Sequence, residues 1–275
     1  MPRPDRHDAG GARVPRHHAF DQRLTLAAHL GGRPVLVFLD YDGTLCPIVA
    51  RPQDAVLADD MRETLARLAE HHVVGVVSGR ELTDLRARVG LAGLCYAGNH
   101  GFEWSAPAGA AVRCEAGAEY LADVAALAAR LATDLAHIDG VLVENKRYSL
   151  SVHYRQVAPA REDEVADAVH AAAAAHPRLA VRRGKCVLEV LPRIDWHKGK
   201  AVRRLMAAAA TPGGVPLYIG DDITDEDAFR ELCGDGVGVQ VSETPRPSAA
   251  QYWLRDVVEV QRLLDWLTGG RAAGA

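Results

Sequence analysis

The sequence has no cysteine pair at CxxC spacing. It also has no apolar run of the roughly 18 residues that a membrane-spanning helix needs. Its five cysteines, Cys46, Cys95, Cys114, Cys186 and Cys233, are scattered and odd in number. That argues against a disulfide framework or a zinc site and fits a reducing, cytoplasmic compartment. No large excess of charge exists either: the formal net charge is −4. Nothing in that balance attracts nucleic acid or an anionic membrane, so an anionic substrate would have to be drawn in by local cations. The first 20 residues are rich in Arg, His, Pro and Gly and lack an apolar stretch. They read as a disordered tail, 1–20, and not as a secretion signal. No internal repeat is present.

What is present suffices for a core of ordinary size. The chain has 275 residues, 48% hydrophobic and 25% charged, which suits one large or two modest domains. Residues 35–39, Val-Leu-Val-Phe-Leu, form a continuous apolar run that suits a strand buried on both faces. It ends on Asp40. Asp59-Asp60 is a candidate helix cap, with Met61, Leu65 and Leu68 following at helical spacing. A second buried strand, 73–77, runs into Ser78-Gly79-Arg80, and a third, near 94–97, runs into Gly98-Asn99-His100-Gly101. Strands alternating with helices in this way predict an α/β fold, a doubly wound parallel sheet with helices on both sides.

The middle of the chain changes character. Helices are expected over 116–136 and 161–175, strands over 139–145 and 148–155, and a hairpin over 179–183 and 186–191 turning near Gly184. This is a compact α+β unit, expected as an inserted domain over 105–192 between core pieces 21–104 and 193–275. The parallel pattern resumes with a helix from Lys198, a strand at 217–219 ending in Gly220-Asp221-Asp222, and a strand at 237–241. Asp256 can cap a last helix that buries Val260, Leu263, Leu264 and Leu267.

Polar residues at four strand ends, Asp40/Asp42, Ser78, Asn99/His100 and Asp221/Asp222, are therefore expected on one edge. Open α/β sheets bind ligands there, beyond the carboxyl ends of their strands. Asp40-Tyr41-Asp42-Gly43-Thr44 is the most informative segment. A buried carboxylate needs pairing or a metal. Aspartate can attack phosphorus to give an acyl phosphate. A second carboxylate two residues on shares its face and can serve as acid and base. The bland reading is that Asp42-Gly43 merely ends the strand in a turn. Five acids among residues 221–227 repel one another unless a cation is present, and Mg²⁺ takes a few carboxylates plus phosphate oxygens. The helix macrodipole accounts for Asp225, Glu226 and Asp227, but poorly for Asp221 and Asp222. Ser78 at a helix N-terminus suits phosphate, or is a plain cap. Lys198 opens a helix, where a cation opposes the macrodipole unless it offsets phosphate charge.

These segments in this order, DxDGT, Ser, Lys and GDD, resemble the haloacid dehalogenase superfamily of phosphatases. Glu144-Asn145-Lys146, the run from Ser149 to Arg155, Gly184-Lys185, Leu188-Glu189-Val190 and the run from Gly220 to Phe229 make the chain similar to its trehalose-6-phosphate phosphatase family. The resemblance covers most of residues 35–230 and implies a cap domain over the active site. It implies Asp40 as phosphoryl acceptor and Asp42 as acid/base, with Ser78 and Lys198 holding the phosphoryl group. It further implies Mg²⁺ on Asp40, the Asp42 carbonyl and Asp221, with Asp222 or Asp225 assisting. Asn99, His100, Gly101, Lys146 and Glu189 would meet the sugar, with Arg80 nearby. The implied partner is a small molecule, bound by a monomer. Another glycosyl phosphate, such as sucrose 6-phosphate or a glucosyl- or mannosyl-glycerate or -glycerol phosphate, is the nearest alternative. A non-catalytic sugar-phosphate sensor is a more distant one, and the presence of Asp40, Asp42 and Asp221 argues against it. The length leaves no room for an attached glycosyltransferase domain.

Overall fold

The computed structural model describes residues 17–106, 113–114 and 118–269. Residues 1–16, most of the expected tail, lie outside these. The elements are β1 (His17–His18), α1 (Arg23–Leu30), β2 (Val35–Leu39), α2 (Asp59–Ala69), β3 (Val73–Val77), α3 (Leu82–Val89) and β4 (Cys95–Gly98). Next come β5 (Glu103–Ser105), β6 (Arg113–Cys114), α4 (Leu121–Asp134), β7 (Leu142–Asn145), β8 (Leu150–His153), α5 (Glu162–Ala173), β9 (Leu179–Gly184) and β10 (Val187–Pro192). The chain continues through α6 (Lys198–Ala209), β11 (Val215–Gly220), α7 (Glu226–Glu231), β12 (Val237–Val241), β13 (Tyr252–Leu254) and α8 (Val257–Thr268).

Among the described residues the larger sheet runs β1-β13-β12-β11-β2-β3-β4-β5-β6. It is parallel except at β4–β5 and β5–β6. Every residue of β2 is buried, as a continuous apolar run at the sheet centre requires. Its side chains alternate between two cores. Val35, Val37 and Leu39 pack with α1, α2, α3 and α8; Leu36 and Phe38 pack with α6 and α7. The chain winds outward from β2 through β3 to β4, then returns to β11 on the other side. The switch point therefore falls between β2 and β11, whose carboxyl ends carry Asp40 and Asp221.

Asp256 caps α8 as expected, accepting from the Glu259 N–H at 2.9 Å, and Val260, Leu263, Leu264 and Leu267 are buried. Asp59 and Asp60 instead occupy the first turn of α2, where the helix dipole favours them, and Ala58 is the N-cap. His17–His18, expected in the tail, pair in parallel with β13. Burial of His18 against Glu259 at 2.8 Å ties that end down.

The second sheet, β7-β8-β10-β9, is antiparallel throughout. Strand alternation divides its faces. Leu150, Val152, Tyr154, Leu188 and Val190 pack under α4 and α5. Ser149, Ser151, His153 and Glu189 alternate with them and so occupy the other face, with Ser151 in register with both Glu144 and Glu189. β5 and β6 still belong to the larger sheet, so the second sheet and its helices occupy 118–192 and not all of the expected 105–192. No helix among the described residues is long and apolar enough to cross a membrane.

Candidate active site

Asp40 follows β2, Ser78 follows β3, a 3₁₀ turn of Asn99–Gly101 follows β4, and Asp221 follows β11. Lys198 is the first residue of α6. Its Nζ donates to Asp40 Oδ1 at 2.8 Å and to Asp225 Oδ1 at 2.7 Å. All three side chains are buried. Tyr218 donates its hydroxyl to the same Asp225 oxygen at 2.7 Å, and the Asp222 N–H donates to Asp225 Oδ2 at 2.9 Å. Asp225 thus accepts three hydrogen bonds, one of which seats the Lys198 ammonium. Burial works against the charge on Lys198, but the Asp225 and Asp40 carboxylates outweigh it and hold the ammonium pKa well above its usual value.

Asp40 and Asp221 face the opposite balance. Burial holds the Asp40 carboxyl well above the usual range against the pull of Lys198, with Asp225 and Asp221 adding to it. Burial, then the Asp225 and Asp222 carboxylates, push Asp221 up to about 8. Asp40, Asp221 and Asp225 each place a carboxylate oxygen within 4.8 Å of the others, and Asp221 Oδ1 is buried without a hydrogen-bond partner. Repelling carboxylates with an orphaned oxygen fit a hard divalent cation. Gly43 makes room for Asp221. Its φ is +85°, and a Cβ there would fall 2.3 Å from the Asp221 carboxyl carbon.

Asp222, expected among the metal ligands, stands outside this trio. Its side chain accepts from the Asp225 backbone N–H in a capping box that starts the 3₁₀ turn Ile223–Asp225. That turn aims Asp225 inward in its place. The other acids of the motif serve structure: Glu226 accepts from Ser248 Oγ and the Ala249 N–H, and Asp227 pairs with Arg182 at 3.6 Å.

One pocket is lined by Asp40, Asp42, Ser78, Arg80, Lys198, Asp221 and Asp222 from the larger sheet's side. From the strands of the smaller sheet come Glu144, His153 and Glu189, and from the turns beside them Lys146, Arg155 and Lys185, with His100 between. His100 Nε2 lies 3.0 Å from Glu189 Oε1. Lys146 Nζ lies 3.9 Å from both Glu189 and Glu144, and His153 Nε2 lies 2.9 Å from Glu144. Sequence reasoning assigned no role to Glu144, His153 or Arg155. For His153 and Arg155 the signal was available in the alternation that places Leu150, Val152 and Tyr154 in the core; Glu144, on β7, stands opposite Ser151.

Of the residues expected at the sugar, His100, Lys146, Glu189 and Arg80 line the pocket; Asn99 and Gly101 do not. The Asn99 side chain is fully buried. It donates to Glu103 Oε2 at 3.1 Å and accepts from Ser149 Oγ at 3.0 Å. Asn99 and His100 both have positive φ, 50° and 56°, a run that this bracing holds in place. Gly101, at φ +96°, packs on α6, where a Cβ would fall 2.2 Å from that of Ala201.

A trehalose-phosphatase family model matches residues 38–258. Trehalose 6-phosphate phosphatase RA3 of Zea mays is 38% identical over 272 residues, covering 93% of this chain and 75% of that protein. The C-terminal domain of C. albicans trehalose-6-phosphate phosphatase superposes with a TM-score of 0.77 at 23% identity, covering 90% of this chain and 97% of that one. A haloacid dehalogenase-like hydrolase from Bacteroides thetaiotaomicron superposes at 0.60 with 17% identity, covering 85% and 99% of the two chains. The structural likenesses identify the fold, and the sequence match identifies the kinship: the chain belongs to the trehalose-phosphatase family.

Proposed function

We propose that this chain hydrolyses trehalose 6-phosphate to trehalose and phosphate through an aspartyl-phosphate, with Mg²⁺, as a step of trehalose biosynthesis. The observation that carries the reading is the single pocket in which the Asp40–Lys198 cluster faces the polar side of the second sheet. The family match and the name of the maize relative support the substrate.

Asp40 attacks phosphorus, the bond from phosphorus to the sugar oxygen breaks, and Asp42 gives that oxygen a proton. Water then attacks the aspartyl-phosphate, Asp42 takes its proton, and phosphate leaves with Asp40 restored. Ser78, at the end of β3, offers its hydroxyl to the phosphoryl oxygens, and Lys198 supplies positive charge from a seat fixed by Asp225. Mg²⁺, held by Asp40, the Asp42 carbonyl and Asp221, would neutralise charge on the transferring group.

Glu144, Lys146, His153 and Glu189 present donors and acceptors to sugar hydroxyls. A substrate lacking one hydroxyl leaves a buried partner unsatisfied, which is how such a face discriminates. A monomeric, cytoplasmic enzyme is part of this reading. The unpaired thiols of Cys46, Cys95, Cys186 and Cys233 support a reducing compartment. Phosphate release from trehalose 6-phosphate, glucose 6-phosphate and sucrose 6-phosphate, with Mg²⁺ and with chelator, tests it. Strong preference for trehalose 6-phosphate and loss with chelator are expected; equal turnover of the three esters overturns the substrate.

A further inference from the structure

Arg80 lies beyond β3, two residues after Ser78, and its side chain is 8% exposed. Its Nε donates to Asp42 Oδ2 at 2.7 Å and its Nη2 to Asp42 Oδ1 at 2.7 Å. This is the bidentate fork that only a guanidinium makes with a carboxylate. Nη2 also donates to the Pro52 carbonyl at 2.8 Å, and Nη1 to Asp84 Oδ2 at 3.1 Å. The guanidinium carbon stands 5.3 Å from the centre of the Tyr41 ring. Its donors are almost fully committed to protein partners, which leaves little for a sugar.

The fork is itself braced. Asp84 accepts from Arg88 Nε through both oxygens, at 2.9 and 2.7 Å, and Arg88 Nη1 donates to the Ala55 carbonyl at 2.6 Å. A line of alternating charge thus ties α3 and the 52–55 segment to Asp42. Asp42 needs such support because its side chain is 39% exposed and stands on the turn after β2. A carboxylate free to rotate there would spend little time within hydrogen-bond reach of the leaving oxygen, and proton transfer requires that reach.

We propose that Arg80 is a positioning residue that fixes the direction of the Asp42 carboxylate, with Asp84 as its brace, and that it does not bind the sugar. The proposal rests on the reading of Asp42 as acid/base. It reassigns Arg80 from the substrate contact expected by resemblance.

The test compares two esters by rapid quench of single turnovers. The sugar oxygen of trehalose 6-phosphate needs a proton to leave; p-nitrophenolate does not. Arg80→Lys keeps the charge and loses the fork. Its rate of phosphoenzyme formation from trehalose 6-phosphate is expected to fall about 10²-fold, the order of loss set by a misplaced catalytic group. KM is expected to stay within about threefold, and the loss with p-nitrophenyl phosphate to be at least about tenfold smaller. Equal losses on both esters, or a loss carried by KM, overturn the proposal. Asp84→Asn touches Arg80 from behind and is expected to show the same selectivity at smaller size; equal losses there overturn it too. Asp42→Asn separates the two levels of the argument. If it spares neither ester selectively, the acid/base reading fails. If it is selective and Arg80→Lys is not, only the positioning role fails.

Discussion

On the core side of the pocket, Lys198 holds Asp40 and Asp225 at 2.8 and 2.7 Å in full burial, locked by Tyr218 and the Asp222 N–H. On the other side, Lys146 stands 3.9 Å from each of two carboxylates, and the polar residues come from a regular strand alternation. The carboxyl groups respond in opposite directions. Asp221 is driven up to about 8 by burial and like charge. Burial also works against the charge on Glu189, but His100 and Lys146 outweigh it and hold that carboxyl low. A site whose charges are crowded and incompletely compensated is suited to a cation and a phosphoryl group. A looser face whose charges are already paired is suited to neutral hydroxyls. On the proposed function, the core side would account for the chemistry and the second sheet for the choice of molecule.

The sharpest way to break that division is Asp40→Asn. Turnover is expected to fall by about 10⁴-fold or more, as for loss of a catalytic nucleophile. The thermal midpoint without metal should change little, because burial and the Asp225 and Asp221 carboxylates disfavour the charge that is removed, while Lys198 keeps Asp225 as its partner. Phosphate release and a thermal melt check both.

Lys198→Met comes next. Asp40 and Asp225 would be left buried without their cation. Activity should fall about 10³-fold, and stability by roughly 3–5 kcal/mol, the loss typical of breaking a buried pair. Denaturant titration measures the second; unchanged stability would show that Lys198 is not the clamp described.

The legibility of the two sides differs for a physical reason. Asp40, Ser78 and Asp221 end apolar runs at the sheet centre, so buried strands with sudden polar ends announced them. Within the acidic motif, sequence could not choose between Asp222 and Asp225, because a 3₁₀ turn decides which carboxylate points inward. Asn99 and Gly101 sit beside His100 in sequence, yet their positive-φ turn sends only His100 to the pocket. The edge strand β1 had no apolar signature, and β13, Tyr252–Leu254, is only three residues long. His17–His18 is a polar pair whose pairing depends on the distant Glu259.

A smaller effect sharpens the comparison through pH. A depressed carboxyl such as Glu189 stabilises the fold above its ordinary value of 4.5, and that contribution is lost as pH falls through the folded value. Glu189→Gln should therefore lose roughly 2 kcal/mol at neutral pH, the scale of hydrogen bonds to a charged group. The gap to the unsubstituted chain should close under acid. Denaturant midpoints at neutral and acidic pH check this, and a gap that widens on acidification contradicts it.

The division between chemistry and choice is tested most directly by one ratio, kcat/KM for trehalose 6-phosphate over that for glucose 6-phosphate, measured in Lys146→Ala and in Ser78→Ala. The account predicts that Lys146→Ala collapses the ratio, while Ser78→Ala slows both esters and leaves it unchanged. A ratio that survives Lys146→Ala, or that Ser78→Ala shifts as far, would contradict it.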